Sequence, residues 1–148
     1  MSALLKLKAK DAEDLQVISA VLQDAIAPVC DMVYRDTDRN FVLVVQRLCR
    51  EQQGELNRIC CAVNLDNITL TQLKGFEQQD KARMLDLLAI LPDEEGVQFV
   101  FAGGARLRFT GADWALHIED FGETWPAACS PCHDDETGQK TEKLDAGQ

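Results

Sequence analysis

The sequence is short of positive charge, of histidine and of long apolar runs, and each shortage removes a class of function. Fifteen lysines and arginines stand against 25 aspartates and glutamates, a formal net charge of −10. Nucleic-acid binding needs a basic footprint to neutralise phosphates, and a peripheral membrane role needs attraction to anionic headgroups. The charge balance opposes both, so neither nucleic acid nor membrane is an expected partner. No stretch approaches the roughly 18 apolar residues of a membrane-crossing helix. The opening residues, MSALLKLK, lack the continuous apolar stretch and small-residue cleavage site of a signal peptide. The expected compartment is therefore the cytoplasm, where the six cysteines, at 30, 49, 60, 61, 129 and 132, stay reduced. Histidine occurs twice, and no nucleophile–base arrangement is recognisable among the histidines, serines and cysteines.

What is there suits a folded domain. A chain of 148 residues matches the roughly 100–200 of one domain and can bury a core without a disulfide or a metal. Hydrophobic residues at 46% and charged residues at 27% are ordinary for a globular protein, so one globular unit is expected over residues 1–128. Residues 129–148 differ. Asp134, Asp135, Glu136, Glu142 and Asp145 outnumber Lys140 and Lys143 there, and almost nothing is apolar. Such a segment buries too little surface to offset the entropy of ordering, so an acidic disordered tail is expected.

Periodicity places the elements. A short strand fits residues 4–9, with Leu5, Leu7 and Ala9 on the side opposite Lys6 and Lys8. Asp11 has the chemistry of a helix N-cap, and Glu13 and Asp14 put negative charge in the first turn. Leu15, Ile18, Leu22 and Ala25 follow at helical spacing, which predicts an amphipathic helix over 11–26, ended by Pro28. Beyond it the period is that of strands, over 29–35, 41–48, 58–64, 68–73, 84–91, 97–102, 106–110 and 114–119. Residues 84–91 fit a helix as well, since Leu and Met favour one. At Gly103-Gly104 a three-residue loop including Ala105 sets Phe101 opposite Leu107 and Phe99 opposite Phe109, and buries all four together.

Two blocks recur. Residues 29–48 align without gaps on 85–104, an offset of 85 − 29 = 56, and 67–70 match 113–116 at 113 − 67 = 46. Duplication and the generic likeness of two hairpins are both open readings of this repeat. The expected fold class is α+β: one N-terminal amphipathic helix packed on a mostly antiparallel, strongly curved sheet. A sandwich and a half-barrel both satisfy that description, and a pleckstrin-homology-like barrel is one candidate.

An Asp-Ala-Glu-Asp-Leu helix start at Asp11, a Phe-Val-Leu-Val-Val strand from Phe41, the Phe-Ala-Gly-Gly-Ala-Arg-Leu-Arg-Phe hairpin from Phe101 and Ile-Glu-Asp-Phe-Gly-Glu-Thr-Trp-Pro from Ile118 occur in this order. As a set spanning residues 5–128, they resemble an uncharacterised family of small bacterial proteins, a domain of unknown function of alphaproteobacteria. The resemblance implies no activity, ligand or site residue to carry over, and the chain departs from it after Trp125.

Several constellations invite a chemical reading. Cys129-Ser130-Pro131-Cys132-His133 has the spacing of haem attachment, which requires export. A thioredoxin-like pair opens a helix after a strand, and this one precedes a helix-poor tail. A structural zinc needs a further pair, and Cys60-Cys61 point to opposite strand faces. The expected reading is the start of a loosely ordered tail. His117, beside Ala115 and Glu119 on an open strand face, reads as solvated, and Asp31 as an outward strand residue. Gly103-Gly104 lacks the spacing and the following helix of a phosphate loop. No catalytic, cofactor-binding or metal-binding residue is assigned, and no cofactor is expected. Arg106 and Arg108 share an outer strand face, with Arg47, Arg50 and Arg58 as candidate neighbours, and form the candidate site for an anionic partner. The expected function is a non-catalytic binding or adaptor module with a protein partner; the alternative is a small enzyme or ligand-binding protein whose site is assembled from distant residues.

Truncation after Ala128 is expected to leave the thermal midpoint nearly unchanged, because the removed residues bring no apolar surface to the core. A large fall in the midpoint, read by calorimetry, would show that the tail docks.

Overall fold

A computed structural model describes residues 4–49 and 56–127; the tail expected at 129–148 lies outside them. The first elements follow the periodicity closely. Strand β1 is Lys6–Ala9 and helix α1 is Ala12–Leu22. The Asp11 carboxylate caps α1 by accepting from the Asp14 N–H at 2.9 Å, and Leu15, Ile18 and Leu22 form the buried stripe. The helix stops a turn before the expected residue 26. Asp24 takes a left-handed φ of 70°, and its N–H bonds to the Leu87 carbonyl at 2.8 Å. That turn leads through Ala25 into a strand that starts at Ile26, before Pro28 is reached.

The remaining strands are β2 (Ile26–Pro28), β3 (Met32–Arg35), β4 (Asn40–Cys49), β5 (Asn57–Asp66), β6 (Leu70–Lys74), β7 (Met84–Asp93), β8 (Gly96–Phe101), β9 (Arg106–Thr110) and β10 (Ala115–Pro126). The strand expected over 29–35 is broken by a 3-10 turn at Val29–Asp31, which holds Asp31 half-buried beside Cys30. The ambiguous stretch at 84–91 is a strand. Leu85 and Leu87 are buried while Met84, Asp86 and Leu88 are exposed, a period of two that no helix produces. A register shift after Leu87 then turns Ile90 inward, and the Ile90 N–H donates to Ser19 Oγ at 2.9 Å, tying the strand to α1.

Among the described residues the ten strands form one antiparallel sheet in the order β1-β10-β5-β4-β2-β7-β8-β9-β6, with β3 also on β4. The sheet is not closed into a barrel, and it is not two separate sheets. It is nevertheless strongly bent. Strands β4 and β9 stand four places apart, about 19 Å along a flat sheet, yet the rings of Phe41 and Phe109 are 4.8 Å apart. The inner faces therefore meet across one core, which includes Leu43, Val63, Leu87, Phe99 and Ile118.

The repeat is visible as architecture. Strands β3-β4-β5 and β7-β8-β9 are two antiparallel meanders, and each is completed by the fourth strand of the other: β10 lies beside β5, and β6 beside β9. The central pairing of the whole sheet sets Pro28 opposite Met84. Their separation, 84 − 28 = 56, is the hairpin offset itself, so the two halves are related by an approximate twofold axis through that pair. The register maps Leu65 onto Phe109, at 109 − 65 = 44, and Thr71 onto Leu116, at 116 − 71 = 45. The sequence match at 46 is thus one residue out of structural register.

The exchange requires the connections β5–β6 and β9–β10 to cross. The Asn67 side-chain amide donates to the Asp113 carbonyl at 2.9 Å. Gly111 lies so close that a Cβ there would overlap the Asn67 carbonyl oxygen. Gly111→Ala is therefore expected to cost about 1–3 kcal/mol, the range for a methyl forced into packed atoms. Gly103→Ala faces open space with φ +82° and is expected to lose about 1–2 kcal/mol for left-handed backbone alone. Urea midpoints compare the two, and a Gly111→Ala protein as stable as wild type would show that the crossing has room.

Candidate partner-binding site

Alternation along β9 turns Leu107 and Phe109 inward and leaves Arg106 and Arg108 exposed. Across the β8–β9 hairpin, Val100 faces Arg106, Phe99 faces Leu107 and Gln98 faces Arg108. This differs from the expected pairing of Phe101 with Leu107 by a slip of two residues. The loop is longer than three, because Ala102–Gly104 forms a 3-10 turn with φ of 82° and 88° at Gly103 and Gly104. The Phe101 N–H closes it on the Ala105 carbonyl at 2.9 Å. An even slip keeps every side chain on its face, so Phe99, Phe101, Leu107 and Phe109 are buried together as expected.

The arginine face has a definite charge pattern. Arg108 Nε donates to Asp93 Oδ2 at 2.8 Å, and this bond holds the Asp93 carboxyl below its usual range. Arg106 Nη1 donates to Gln98 Oε1 at 3.2 Å. On the other side of β9, strand β6 sets Gln72 opposite Arg108 and Lys74 opposite Arg106. Like charges directly across a strand pair repel. Among the described residues, neither Lys74 nor Arg106 forms an ion pair with a carboxylate.

Of the candidate neighbours, Arg47 and Arg58 do not join this face. Arg50 lies outside the described residues. Arg58, on β5, donates to the Gln46 carbonyl at 2.8 Å. Arg47 points into the core end of β4, where its Nε and Nη2 grip Asp120 Oδ1 and Oδ2 at 2.8 and 2.6 Å, with both side chains at most 2% exposed. The backbones of Leu5 and Asp120 bond to each other, and the Leu5 N–H also donates to Asp120 Oδ2 at 2.9 Å. Burial raises the Asp120 pKa, but the Arg47 hydrogen bonds and charge, the Leu5 N–H and the Cys61 thiol outweigh it, and the carboxyl is held below its usual range. Cys61 is pushed up to about 12, by burial first and then by Asp120, so it stays an unreactive thiol. The sequence did carry a signal for this pair: Arg47 continues the inward series Phe41, Leu43, Val45, and Asp120 continues Leu116, Ile118.

Between the outer edges of β3 and β6 runs an apolar cleft with a volume of about 140 Å³, lined by Met32, Tyr34, Phe41, Thr71, Leu73 and Leu107. The Tyr34 hydroxyl spans it to the Ile68 carbonyl at 3.4 Å. Thr71 Oγ1 is buried in the cleft wall without a hydrogen-bond partner. Other candidate chemistry is dispersed. His117 Nε2 sits 3.4 Å from Asp66 Oδ2 on an open face, both side chains about two-fifths exposed. Among the described residues no group of three or more His, Cys, Asp or Glu side chains is placed to hold a metal. Cys129, Cys132 and His133 lie outside them.

Because the native pKa of Asp120 is depressed, the pair stabilises the fold above the usual aspartate value of about 3.9 and loses that contribution as pH falls through the lower native value. Asp120→Asn removes the carboxylate from a buried guanidinium and is expected to cost about 3–5 kcal/mol at neutral pH. Arg47→Met/Asp120→Leu should recover most of it. Denaturation at pH 7 and at about pH 3 checks both, and the wild type should lose much of its advantage over Asp120→Asn at the lower pH. An unchanged gap would assign the loss to another cause.

No curated protein and no solved structure matches the chain. A family model does, over residues 5–133, which runs past the expected limit of 128 and takes in Cys129, Cys132 and His133. With most of its length matched, the chain belongs to the family described as "Protein of unknown function (DUF2948)".

Proposed function

We propose that the domain is a non-catalytic binding or adaptor module for a protein partner in the cytoplasm of an alphaproteobacterium. The observation that carries this reading is the open seam between β3 and β6, an apolar cleft flanked by strand edges, with Lys74 on the outer face of β6 and Arg106 and Arg108 on the outer face of the neighbouring β9. Unpaired strand edges are templates for another chain, and exposed arginines steer association. The cytoplasmic assignment draws support from the thiols of Cys30 and Cys61, neither of which is in a disulfide. Among the described residues, moreover, no helix is long and apolar enough to cross a membrane.

The test is affinity capture from native lysate with the full chain, comparing wild type with Arg106→Glu/Arg108→Glu. Both side chains are exposed, so the double variant is expected to melt like wild type. It should retain about tenfold less partner, the size of effect that charge reversal produces on association. Saturable turnover of a small molecule by a wild type that captures no protein would replace this reading with the enzyme alternative.

A further inference from the structure

The approximate twofold makes two seams equivalent, and they are treated differently. Under it β3 corresponds to β7 and β6 to β10, so the seam between β3 and β6 is the counterpart of the seam between β7 and β10. The N-terminal segment covers the second: α1 packs on β7 and on β1, and β1 adds to the edge of β10 as an antiparallel strand. Strand β1 is built for that place. Leu7 and Ala9 turn inward, while Lys6 faces Glu119 and Lys8 faces His117 on the outside. At the first seam, among the described residues, β6 pairs with β9 alone and β3 with β4 alone. The apolar cleft lies between them.

The charges at the two seams are opposite. The register that maps Thr71 onto Leu116 maps Lys74 onto Glu119, since 119 − 74 = 45. A strand added to β6 as β1 is added to β10 therefore meets lysine where β1 meets glutamate, with Arg106 just beyond. Its inner side chains meet Thr71, Leu73, Met32 and Tyr34. We propose that the free edge of β6 takes up an extended segment of a partner protein as an added antiparallel strand, with apolar side chains facing the cleft and acidic side chains facing Lys74 and Arg106. This rests on the binding-module reading and names the chemistry of the partner. Main-chain hydrogen bonds supply the attachment, the alternation fixes the register, and the acidic side chains relieve the like-charge pair.

The experiment titrates the full-length protein with three synthetic peptides of about eight residues, a length sufficient for one strand. The first alternates Val or Leu with Glu, the second replaces every Glu by Lys, and the third keeps the first composition but segregates apolar from acidic residues. Binding is read by fluorescence anisotropy and the site by amide hydrogen exchange. The alternating acidic peptide is expected to bind best and to slow exchange in β6. Lys74→Glu/Arg106→Glu, with an unchanged melting midpoint as control, should weaken that peptide about tenfold and favour the Lys peptide, as reversed cross-strand charges require. Equal binding of the segregated peptide, protection elsewhere than β6, no binding of any peptide, or occupation of the edge by a second copy in sedimentation would each overturn strand addition. Partner capture that still depends on Arg106 and Arg108 would then leave the binding-module reading standing; loss of capture altogether would remove that reading first.

Discussion

The crossing of two chain connections, where Asn67 and Gly111 meet without room for a Cβ, is the constraint on which the architecture depends. A three-stranded meander carries an apolar inner face and an open edge, and neither half supplies its own fourth strand. Exchange solves both problems at once, because β6 and β10 each complete the other meander and draw the two inner faces onto one core. The aromatic cluster of Phe41, Phe99 and Phe109 sits across that junction. The core is therefore a property of the pair of halves.

The departures from twofold symmetry are equally ordered. Arg47 corresponds to Gly103, at 103 − 47 = 56, and Asp120 to Gly75, at 120 − 75 = 45. In one half these positions hold a buried ion pair that anchors Leu5 and with it the N-terminal segment. In the other they are glycines with positive φ, and the chain turns away there. Strands β4 and β10 accordingly run on past the points where β8 and β6 end. One half is sealed by a strand and a helix of the same chain; the other keeps its edge.

Much of this was legible in the sequence, because inward and outward positions alternate plainly. Phe41, Leu43 and Val45 announce β4, and Asp11 with the Leu15–Ile18–Leu22 stripe announces α1. The hairpin offset of 56 survives as the separation of the central pair. What was not legible depended on long-range geometry. The helix end is set by Asp24 bonding to Leu87, a residue distant in sequence. The hairpin register slipped by two because an even slip leaves the burial pattern unchanged. Alternation alone turns Arg47 and Asp120 inward, but nothing local pairs two residues 73 apart in sequence. The exchange itself left no local mark, as either fourth strand satisfies the same alternation.

Exchange also has a consequence for biosynthesis. Strand β5 ends at Asp66, and the strand that covers its edge ends at Pro126, 126 − 66 = 60 residues later. At about 5–20 residues per second, synthesis leaves that edge uncovered for about 3–12 s. Its inward residues Ile59, Cys61, Val63 and Leu65 are all buried in the finished domain. The nascent chain on the ribosome is thus the species with the most apolar edge to protect, and the speed of elongation between residues 66 and 126 sets how long other strands can compete for it.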